Sequence, residues 1–348
     1  MSNFKKAAVL GASGYTGVEV VRLLQHHPKV EISALTGHSR AGEQAGDVFA
    51  NTAHLGLPDL QDWKDVNWSE IDVAFACLPH GASQETIAEI LASVPTVVDL
   101  SADFRLRDPG LYAQVYGRAH NFPDILETAV YGLSEWARGL LEGAKLIACP
   151  GCFPTCTLLP LLPLLKDDLI EASSLPVSAI TGVTGAGRKA SLGLSFTELA
   201  EGAHAYGVGN HRHAPEIDQI IERVTGQETT VSLTPHLVPM NRGMITTTVV
   251  SLKKGRGYND LRESLKAAYQ ESKFVTVLSE GEVPQTRHVR GSNRCHMNVF
   301  QDRTADTAIV IAVIDNLTKG SSGQAIQNYN LSQGWDENLG LDMIGFFP

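Results

Sequence analysis

The chain has few cysteines and no long hydrophobic run, and both shortages narrow its class. Its 348 residues include five cysteines, and this small, odd number fits free thiols in a reducing compartment. The most apolar run, LLPLLPLL at 158–165, is too short to span a bilayer and contains two prolines. The N-terminal segment also lacks the long apolar core and the cleavage site of a signal peptide. We therefore expect a cytoplasmic protein without a membrane partner.

An excess of positive charge is missing as well. The formal net charge is −10 at pH 7, whereas a protein that binds nucleic acid presents a basic surface to the phosphates. We therefore expect no nucleic-acid partner. The hydrophobic fraction of 43% is that of an ordinary soluble protein. At about 150 residues per domain, the length predicts two domains.

Short apolar runs alternate with helical patterns in the first half of the chain. Strands are predicted at 7–10, 30–36, 72–79, 96–101 and 145–150. Helices are predicted from residue 18 to a stop at Pro28, and at 83–94 with Ser83 as the N-cap. This alternation is typical of α/β proteins and predicts a Rossmann-type doubly wound parallel sheet.

The second half of the chain has a different pattern of predicted strands and helices. Beyond residue 151 the predicted strands are longer and rich in threonine and valine. Helices are fewer, and they are predicted at 155–170, 191–202, 214–225, 258–271 and 321–335. This pattern predicts an α+β domain in which a large antiparallel or mixed sheet carries helices on one face.

A glycine-rich turn directly follows the first predicted strand. Its sequence, GASGYTG at 11–17, has the spacing G-x-x-G-x-x-G and not the G-x-G-x-x-G of the common dinucleotide fingerprint. The physical use is the same, because small residues let the backbone approach a pyrophosphate and the next helix offers its N-terminal amides. A tight turn without a ligand is the alternative. We expect a nucleotide cofactor here, held by Gly11, Ser13, Gly14, Tyr15, Thr16 and Gly17.

The end of the second predicted strand indicates which dinucleotide binds. Enzymes that use NAD usually place Asp or Glu there for the ribose hydroxyls. Here the chain reads Thr36-Gly37-His38-Ser39-Arg40, and the hydroxyl of Ser39 and the guanidinium of Arg40 suit a 2′-phosphate instead. The sequence therefore favours NADP(H), unless Arg40 is an ordinary solvated loop arginine.

Three of the five cysteines lie close together, in ACPGCFPTCT at 148–157. Three interpretations are open: a metal cluster completed by Cys77 or Cys295, a dithiol switch, or a single nucleophile. We favour the nucleophile. Cys149 ends a strand and Cys156 lies inside an apolar helix, so both are expected to pack, whereas Cys152 begins that helix. A thiol at a helix N-terminus lies near free amides and the positive end of the helix dipole, which lowers its pKa.

A nucleophilic thiol needs a group that moves protons. The segment GVGNHRHAPEID at 207–218 offers His211 and His213 on either side of an arginine. The two histidines could also bind a metal, but no second cluster of ligand residues is near in sequence. Residue types alone therefore point to this pair without choosing between its members.

Two cationic side chains are candidates for holding an anionic substrate. Arg105 follows a predicted strand at the edge where such sheets bind ligands, and Lys189 lies in a second glycine-rich loop. A surface salt bridge is the alternative for Arg105. A simple turn is the alternative for the loop that carries Lys189.

Seven motifs appear in one order along the chain: VLGASGYTG, DLSADFRL, CPGCFPT, VTGAGRK, GNHRHAPEI, TPHLVPMNRG and DNLTKGSSGQAIQN. Together they resemble the N-acetyl-γ-glutamyl-phosphate reductases of arginine biosynthesis and, more distantly, the aspartate-semialdehyde dehydrogenases. The resemblance extends over essentially the whole chain, and P-G-C-F-P-T is its most specific part. The asparagine that often precedes P-G-C in relatives is Cys149 here, which changes a neighbour of the matching nucleophile.

The resemblance implies a chain path, residue roles and an assembly. It implies an NADP-binding domain formed by 1–148 and 318–348, and a catalytic and dimerisation domain formed by 149–317. Cys152 matches the family's nucleophile, His211 its acid/base, Arg105 a contact to the substrate phosphate, and Asn316 a position near the nicotinamide. Relatives form dimers or tetramers, so a homodimer or homotetramer is expected.

The implied reaction is a reductive dephosphorylation. The Cys152 thiolate would attack the γ-acyl phosphate of N-acetylglutamate, phosphate would leave, and hydride from NADPH would reduce the thioester to the aldehyde. His211 would take the thiol proton and stabilise the oxyanion, while Arg105 with Lys189 would neutralise the phosphate. Two alternatives are open: a related acyl phosphate (aminoadipyl or aspartyl) as substrate, or a non-catalytic NADP-sensing protein.

Overall fold

The computed structural model describes residues 4–347. Within them the chain forms two compact units. The first consists of Met1–Pro150 and Ser321–Asp342, and the second of Gly151–Gly320 and Met343–Pro348. The chain thus leaves the first unit after Pro150, returns to it at Ser321, and leaves it again after Asp342.

A parallel sheet lies at the centre of the first unit. Its strands in the described chain are β1 (Lys5–Leu10), β2 (Val30–Thr36), β3 (Leu60–Gln61), β4 (Val73–Ala76), β5 (Thr96–Asp99), β6 (Val130–Tyr131) and β7 (Leu146–Ala148). Their order is β3-β2-β1-β4-β5-β7-β6, and every pairing is parallel. The order of connection reverses between β1 and β4, which is where sheets of this kind bind ligands. The predicted doubly wound parallel sheet is confirmed.

The helices of the first 150 residues include several that the sequence patterns do not predict. They are α1 (Tyr15–Leu24), α2 (Ala45–Val48), α3 (Ser83–Ile90), α4 (Pro109–Tyr116), α5 (Pro123–Thr128) and α6 (Ser134–Leu141). The predicted N-cap of α3 is wrong, because Ala82 occupies that position. Ser83 Oγ instead donates to the buried carboxylate of Asp103 at 2.7 Å, and an anionic oxygen is a stronger partner than a backbone amide.

A mixed sheet lies at the centre of the second unit. Its strands, among residues 4–347, are β8 (Leu175–Thr181), β9 (His204–Ala205), β10 (Val231–Leu237), β11 (Met244–Ser251), β12 (Val275–Val277), β13 (Cys295–Gln301) and β14 (Thr307–Ile314). Their order is β12-β13-β14-β11-β8-β10-β9. The pairs β8–β10 and β12–β13 are parallel, and the others are antiparallel. The large mixed sheet predicted for this half is thereby confirmed.

Helices cover one face of the mixed sheet. They are α7 (Cys152–Lys166), α9 (Ala214–Thr225) and α10 (Tyr258–Tyr269), with the single turn α8 (Phe196–Leu199) in a loop between α7 and α9. The predicted helix at 191–202 is wrong in extent, since only a 3₁₀ turn at Leu192–Leu194 and α8 form there. Leu192 and Phe196 are 77% and 85% exposed, so the segment lacks the apolar support that stabilises a surface helix.

The other face of the mixed sheet, here called the open face, carries apolar side chains that are only partly covered. Ile180 pairs across the strands with Ile245, and Val249 pairs with Ile309. Ile180 and Val249 are exposed, and the other two are half-buried. The alternation of buried and exposed residues along β8 is that of a sheet covered on one side.

Helix α7 contains three prolines; Pro154 lies in the first turn, and the structure compensates for the two in the helix interior. Pro160 and Pro163 cannot donate to the carbonyls four residues earlier, which belong to Cys156 and Leu159. Thr246 Oγ1 donates to Cys156 O at 3.3 Å, and Tyr269 Oη donates to Leu159 O at 2.5 Å. Each buried carbonyl therefore keeps a partner, as buried backbone requires.

The last helix, α11 (Gly323–Ser332), belongs to the first unit. Almost all of its side chains are buried, although many are polar. Asn328 donates to Gly132 O at 2.7 Å and accepts from Ser134 Oγ at 2.7 Å, while Tyr329 packs edge-on against Phe75. These partners explain how a polar helix can lie in a core.

Candidate active site

The glycine-rich turn brings β1 and α1 close together. Gly11 has a φ of +71°, and a Cβ on Gly17 would lie 2.4 Å from Gly11 O. Neither position accepts a side chain without a shift of backbone. Gly14 is the N-cap of α1, and its N–H donates to Gly11 O at 3.0 Å. The turn therefore leaves bare backbone at a helix N-terminus, which suits the phosphates of a dinucleotide.

The remaining predicted cofactor residues of the first unit lie on or near this turn. Ser13 is within it, and Tyr15 and Thr16 are the first two residues of α1. The turn is tied to the end of β2, because Ala12 N–H donates to Thr36 O at 2.8 Å.

Ser39 and Arg40 follow β2 in a 3₁₀ turn, His38–Arg40. Arg40 Nη1 lies 2.8 Å from Glu43 Oε2, and both side chains are about 40% exposed. An exposed ion pair of this kind contributes little to stability and can exchange for another anion.

Arg105 is buried and bonded to the backbone of two strand ends. It is 7% exposed, its Nε donates to Cys149 O at 2.7 Å, and its Nη2 donates to Leu100 O at 3.1 Å. The guanidinium thus joins the residues that follow β5 and β7. Sequence analysis did not predict that Arg105 would bond to the backbone at these two strand ends.

Two buried carboxylates, Asp99 and Asp103, lie in the same segment as Arg105, and sequence reasoning missed them. Asp103 accepts from the N–H of Gly81 at 2.7 Å and from Tyr112 Oη at 2.7 Å. Asp99, at the end of β5, accepts from Ser101 N–H and Ser101 Oγ. Burial raises the pKa of Asp99 to about 7, although the two bonds from Ser101 oppose the rise.

Cys152 is the first residue of α7, as the sequence predicts, and Gly151 is the N-cap. The N–H of Gly151 donates to Glu216 Oε1 at 2.8 Å, and Thr155 N–H donates to Gly151 O at 3.0 Å. Glu216 is 1% exposed and comes from the first turn of α9. The start of α7 is therefore fixed by a carboxylate that is 65 residues away in sequence.

The histidine pair and two aromatic rings lie close to the start of α7. The ring centroids of Phe153 and His211 are 5.2 Å apart, those of His211 and His213 are 4.9 Å apart, and those of Tyr206 and His211 are 5.7 Å apart. Burial, together with a smaller effect of the neighbouring Arg212, lowers the pKa of His211 to about 4. His211 is therefore neutral at pH 7.

Tyr206 also belongs to this group, and its only signal in the sequence is its place directly before the glycine-rich segment. Burial raises the pKa of its phenol, and the nearby Cys152 sulfur adds to the rise. The second unit thus brings together Cys152, His211, His213 and Tyr206.

The two other predicted residues of the second unit differ from each other. Lys189 is exposed in the loop after the 3₁₀ turn Val183–Ala186. Asn316 is buried, its Oδ1 accepts from Gly243 N–H at 2.9 Å, and its Nδ2 donates to Thr184 Oγ1 at 3.0 Å. Asn316 therefore links the loop after β8 to the start of β11.

The remaining cysteines of the motif are buried. Burial raises the pKa of both Cys149 and Cys156 to about 12, so both are protonated at neutral pH. Within residues 4–347, no group of three or more His, Cys, Asp or Glu side chains is placed to hold a metal ion.

Known families and proteins match nearly the whole chain. The family model for semialdehyde dehydrogenase, NAD binding domain, matches residues 6–144, and that for semialdehyde dehydrogenase, dimerisation domain, matches residues 152–316. A probable chloroplastic N-acetyl-gamma-glutamyl-phosphate reductase of Oryza sativa subsp. japonica is 49% identical over 99% of this chain and 82% of its own length. The N-acetyl-gamma-glutamyl-phosphate reductase of Afipia carboxidovorans is 48% identical over 98% of both chains. The chain belongs to the N-acetyl-γ-glutamyl-phosphate reductase family. The resemblance drawn from the motifs is confirmed.

Solved structures of aspartate-semialdehyde dehydrogenases share the fold of this reductase family member. The Vibrio cholerae enzyme II, complexed with ASA, has a TM-score of 0.72 at 15% identity and covers 95% of this chain and 98% of its own. The Candida albicans enzyme with NADP has a TM-score of 0.66 at 20% identity and covers 97% and 99%. The predicted fold class, a Rossmann-type domain with an α+β domain, is thereby confirmed.

Family membership makes the chain an oxidoreductase with a nicotinamide-dinucleotide domain and a dimerisation domain. The predicted nicotinamide cofactor is confirmed in this general form, while the preference for NADP(H) and the number of subunits stay predictions. No helix in the described part of the chain is both long and apolar enough to cross a membrane. The cytoplasmic location also stays a prediction.

Proposed function

We propose that the protein reduces N-acetyl-γ-glutamyl phosphate to N-acetylglutamate 5-semialdehyde with NADPH, through a thioester on Cys152. The observation that carries the proposal is the position of Cys152 at the N-terminus of α7, near the neutral His211. A thiol at the positive end of a helix is favoured as the anion that attacks an acyl group. The identity of 48–49% to reductases of this name, over nearly the whole chain, supports the choice of substrate.

The reaction divides into two displacements at one carbon. The Cys152 thiolate forms a bond to the acyl carbon, and the bond from that carbon to the phosphate oxygen breaks. A nicotinamide dinucleotide held at the glycine-rich turn would supply the hydride that reduces the thioester carbon, and the carbonyl oxygen would then carry the negative charge of a tetrahedral oxyanion. The oxyanion then re-forms a carbonyl, the carbon–sulfur bond breaks, and the aldehyde leaves with Cys152 again a thiolate.

His211 is suited to stabilise the oxyanion. The N–H of His213 donates to His211 Nδ1 at 3.2 Å, so the neutral ring carries its proton on Nε2. In this tautomer Nε2–H donates a hydrogen bond to the oxyanion, and the first amides of α7 add further donors. Accepting the thiol proton at Nε2 would need the opposite tautomer. The geometry therefore supports the oxyanion role predicted for His211 over the role of thiol base.

The glycine-rich turn would hold the cofactor's pyrophosphate. The bare backbone of Gly11, Gly14 and Gly17 at the start of α1 fits such a group, and Ser39 and Arg40 would hold a 2′-phosphate. Arg105 and Lys189 are proposed to interact with the substrate phosphate, and Asn316 with the nicotinamide side of the cofactor. The open face, with Ile180, Ile245, Val249 and Ile309, is proposed as the surface that pairs two copies.

The test compares the wild type with Cys152→Ser. We expect the variant to lose phosphate-dependent oxidation of N-acetylglutamate semialdehyde by at least a thousandfold and to bind NADPH with an unchanged Kd. A near-normal rate in Cys152→Ser would refute the covalent step. If the wild type oxidises aspartate or aminoadipate semialdehyde faster than N-acetylglutamate semialdehyde, the proposed substrate is wrong. A wild type without any turnover, and with no substrate-protected reactive thiol, would indicate an NADP-sensing protein.

A further inference from the structure

A tight turn at the end of β14 is built around one buried carboxylate. Asp315 Oδ1 accepts from the N–H groups of Leu317 and Thr318 at 2.8 and 3.0 Å, and its Oδ2 accepts from Gly291 N–H at 2.6 Å. The carbonyl oxygen of Asp315 accepts from Gly320 N–H at 2.9 Å. Four bonds to one residue hold the path of the chain from 315 to 320 in place.

Gly320, at the end of this turn, lies against the proposed nucleophile. A Cβ built on Gly320 would be 2.8 Å from Cys152 Cβ, 3.2 Å from Cys152 Cα and 3.3 Å from Ile314 Cδ1. Non-bonded carbon atoms prefer separations of about 3.5–4.0 Å, so a methyl group at 320 requires Cys152, Ile314 or the turn itself to shift. Gly320 also lies in a π-helical turn, Thr318–Ser322, an irregularity that is frequent at functional sites.

The backbone on either side of Cys152 is also held by hydrogen bonds. Glu216 fixes Gly151 from one side, and the bond from Thr155 N–H to Gly151 O starts α7 on the other. Cys152 therefore sits between a fixed helix start and a fixed turn. Because the backbone on both sides of the contact is held by hydrogen bonds, we expect the Cys152 side chain to change direction in response to an added methyl group.

We infer that Gly320 is a positioning residue for Cys152: its lack of a side chain lets the backbone of the turn pack on Cys152 Cα and Cβ and thereby fixes the direction of the sulfur. This inference rests on the proposed role of Cys152 as the nucleophile. It gives Gly320, which lies four residues after Asn316 in the same turn, a role in positioning the nucleophile.

The test is Gly320→Ala in the full-length protein. Misplacing a reacting group by about 1 Å can cost about a hundredfold in rate, so we expect kcat to fall by at least tenfold while KM for NADPH stays the same. The readout that a purely structural role would not move is the alkylation of Cys152 by iodoacetamide, followed by mass spectrometry across pH 5–9. We expect a second-order rate reduced by at least fivefold, or a shifted pH midpoint. Gly139→Ala is the control, because a Cβ there meets no atom within 4 Å.

A second variant covers the case in which Gly320→Ala does not fold. Ile314→Val removes the Cδ1 that lies 3.3 Å from the added Cβ, so Gly320→Ala/Ile314→Val has more room but keeps the contact with Cys152. Wild-type alkylation of Cys152 in whichever variant folds overturns the inference, and so does failure of both to fold. If Cys152→Ser itself is active, the proposed function fails instead, and the alkylation result still reports on the contact.

Discussion

Replacing Arg105 by methionine separates two roles for this residue. The side chain is 7% exposed and donates to two backbone carbonyls, Cys149 O and Leu100 O. Methionine fills much of the same volume but cannot donate, so both oxygens lose their partner. A hydrogen bond from a charged donor contributes about 1.5–3 kcal/mol. The bond to Leu100 is partly exposed, and water can replace it.

The expected loss of stability in Arg105→Met is therefore about 2–4 kcal/mol, a large part of the typical 5–15 kcal/mol of a folded domain. Urea unfolding, followed by tryptophan fluorescence and circular dichroism, measures it. Arg107→Met is the matched control, because Arg107 lies on the same loop and is exposed, and surface changes usually stay within about 0.5 kcal/mol.

An unchanged stability of Arg105→Met would contradict this prediction. Should Arg105→Met unfold at the same urea concentration as the wild type and show only a raised KM for the acyl phosphate, the structural argument would be wrong. Arg105 would then act on the substrate, as the family resemblance implies. A loss of both stability and substrate affinity would assign it both tasks.

Two further predictions concern buried polar groups. Asp99 has a pKa of about 7 in the folded protein against 3.8 as the reference value, so the folded state binds the extra proton between these values and stability falls as pH rises through that window. Asp99→Asn should flatten the dependence of Tm on pH between about 4 and 7; an unchanged slope would contradict the assignment. Tyr269→Phe leaves Leu159 O without a donor and should destabilise by about 1–3 kcal/mol. Tyr258→Phe is the control, because the Tyr258 hydroxyl is exposed. Equal Tm values for the two variants would contradict the claim that Tyr269 replaces the hydrogen bond that Pro163 cannot donate in α7.

The sequence patterns located most long elements because their periodicity is strong. Strand β2 at 30–36 and helix α9 at 214–225 match the predicted bounds. The errors lie where apolar residues have no core to pack on, as at Leu192 and Phe196, or where a long-range partner competes with a local one. Ser83 was predicted to cap α3, but the carboxylate of Asp103, twenty residues away, binds its hydroxyl instead.

The candidate catalytic residues are easier to predict from the sequence than the residues that hold them in place. A cysteine at a helix start and a pair of histidines are visible in one short segment each. The supports come from distant segments: Glu216 fixes the start of α7 across 65 residues, and Asp315 with Gly320 closes on Cys152 from the end of β14. No local pattern encodes such pairs, since their contact exists only after the second unit has folded.

The return of α11 to the first unit affects how a growing chain folds on the ribosome. The core around Phe75 and Gly132 is completed by Tyr329 and Asn328, which follow these partners by 254 and 196 residues, respectively. The segment 151–320, which is all of the second unit except the part that begins at Met343, emerges in one piece, so most of this unit can fold before the closing helix of the first unit is synthesised. During that interval β4 and β5 are without the helix that packs on them in the folded protein, and a truncation just before α11 should make the first unit more prone to aggregation than the second.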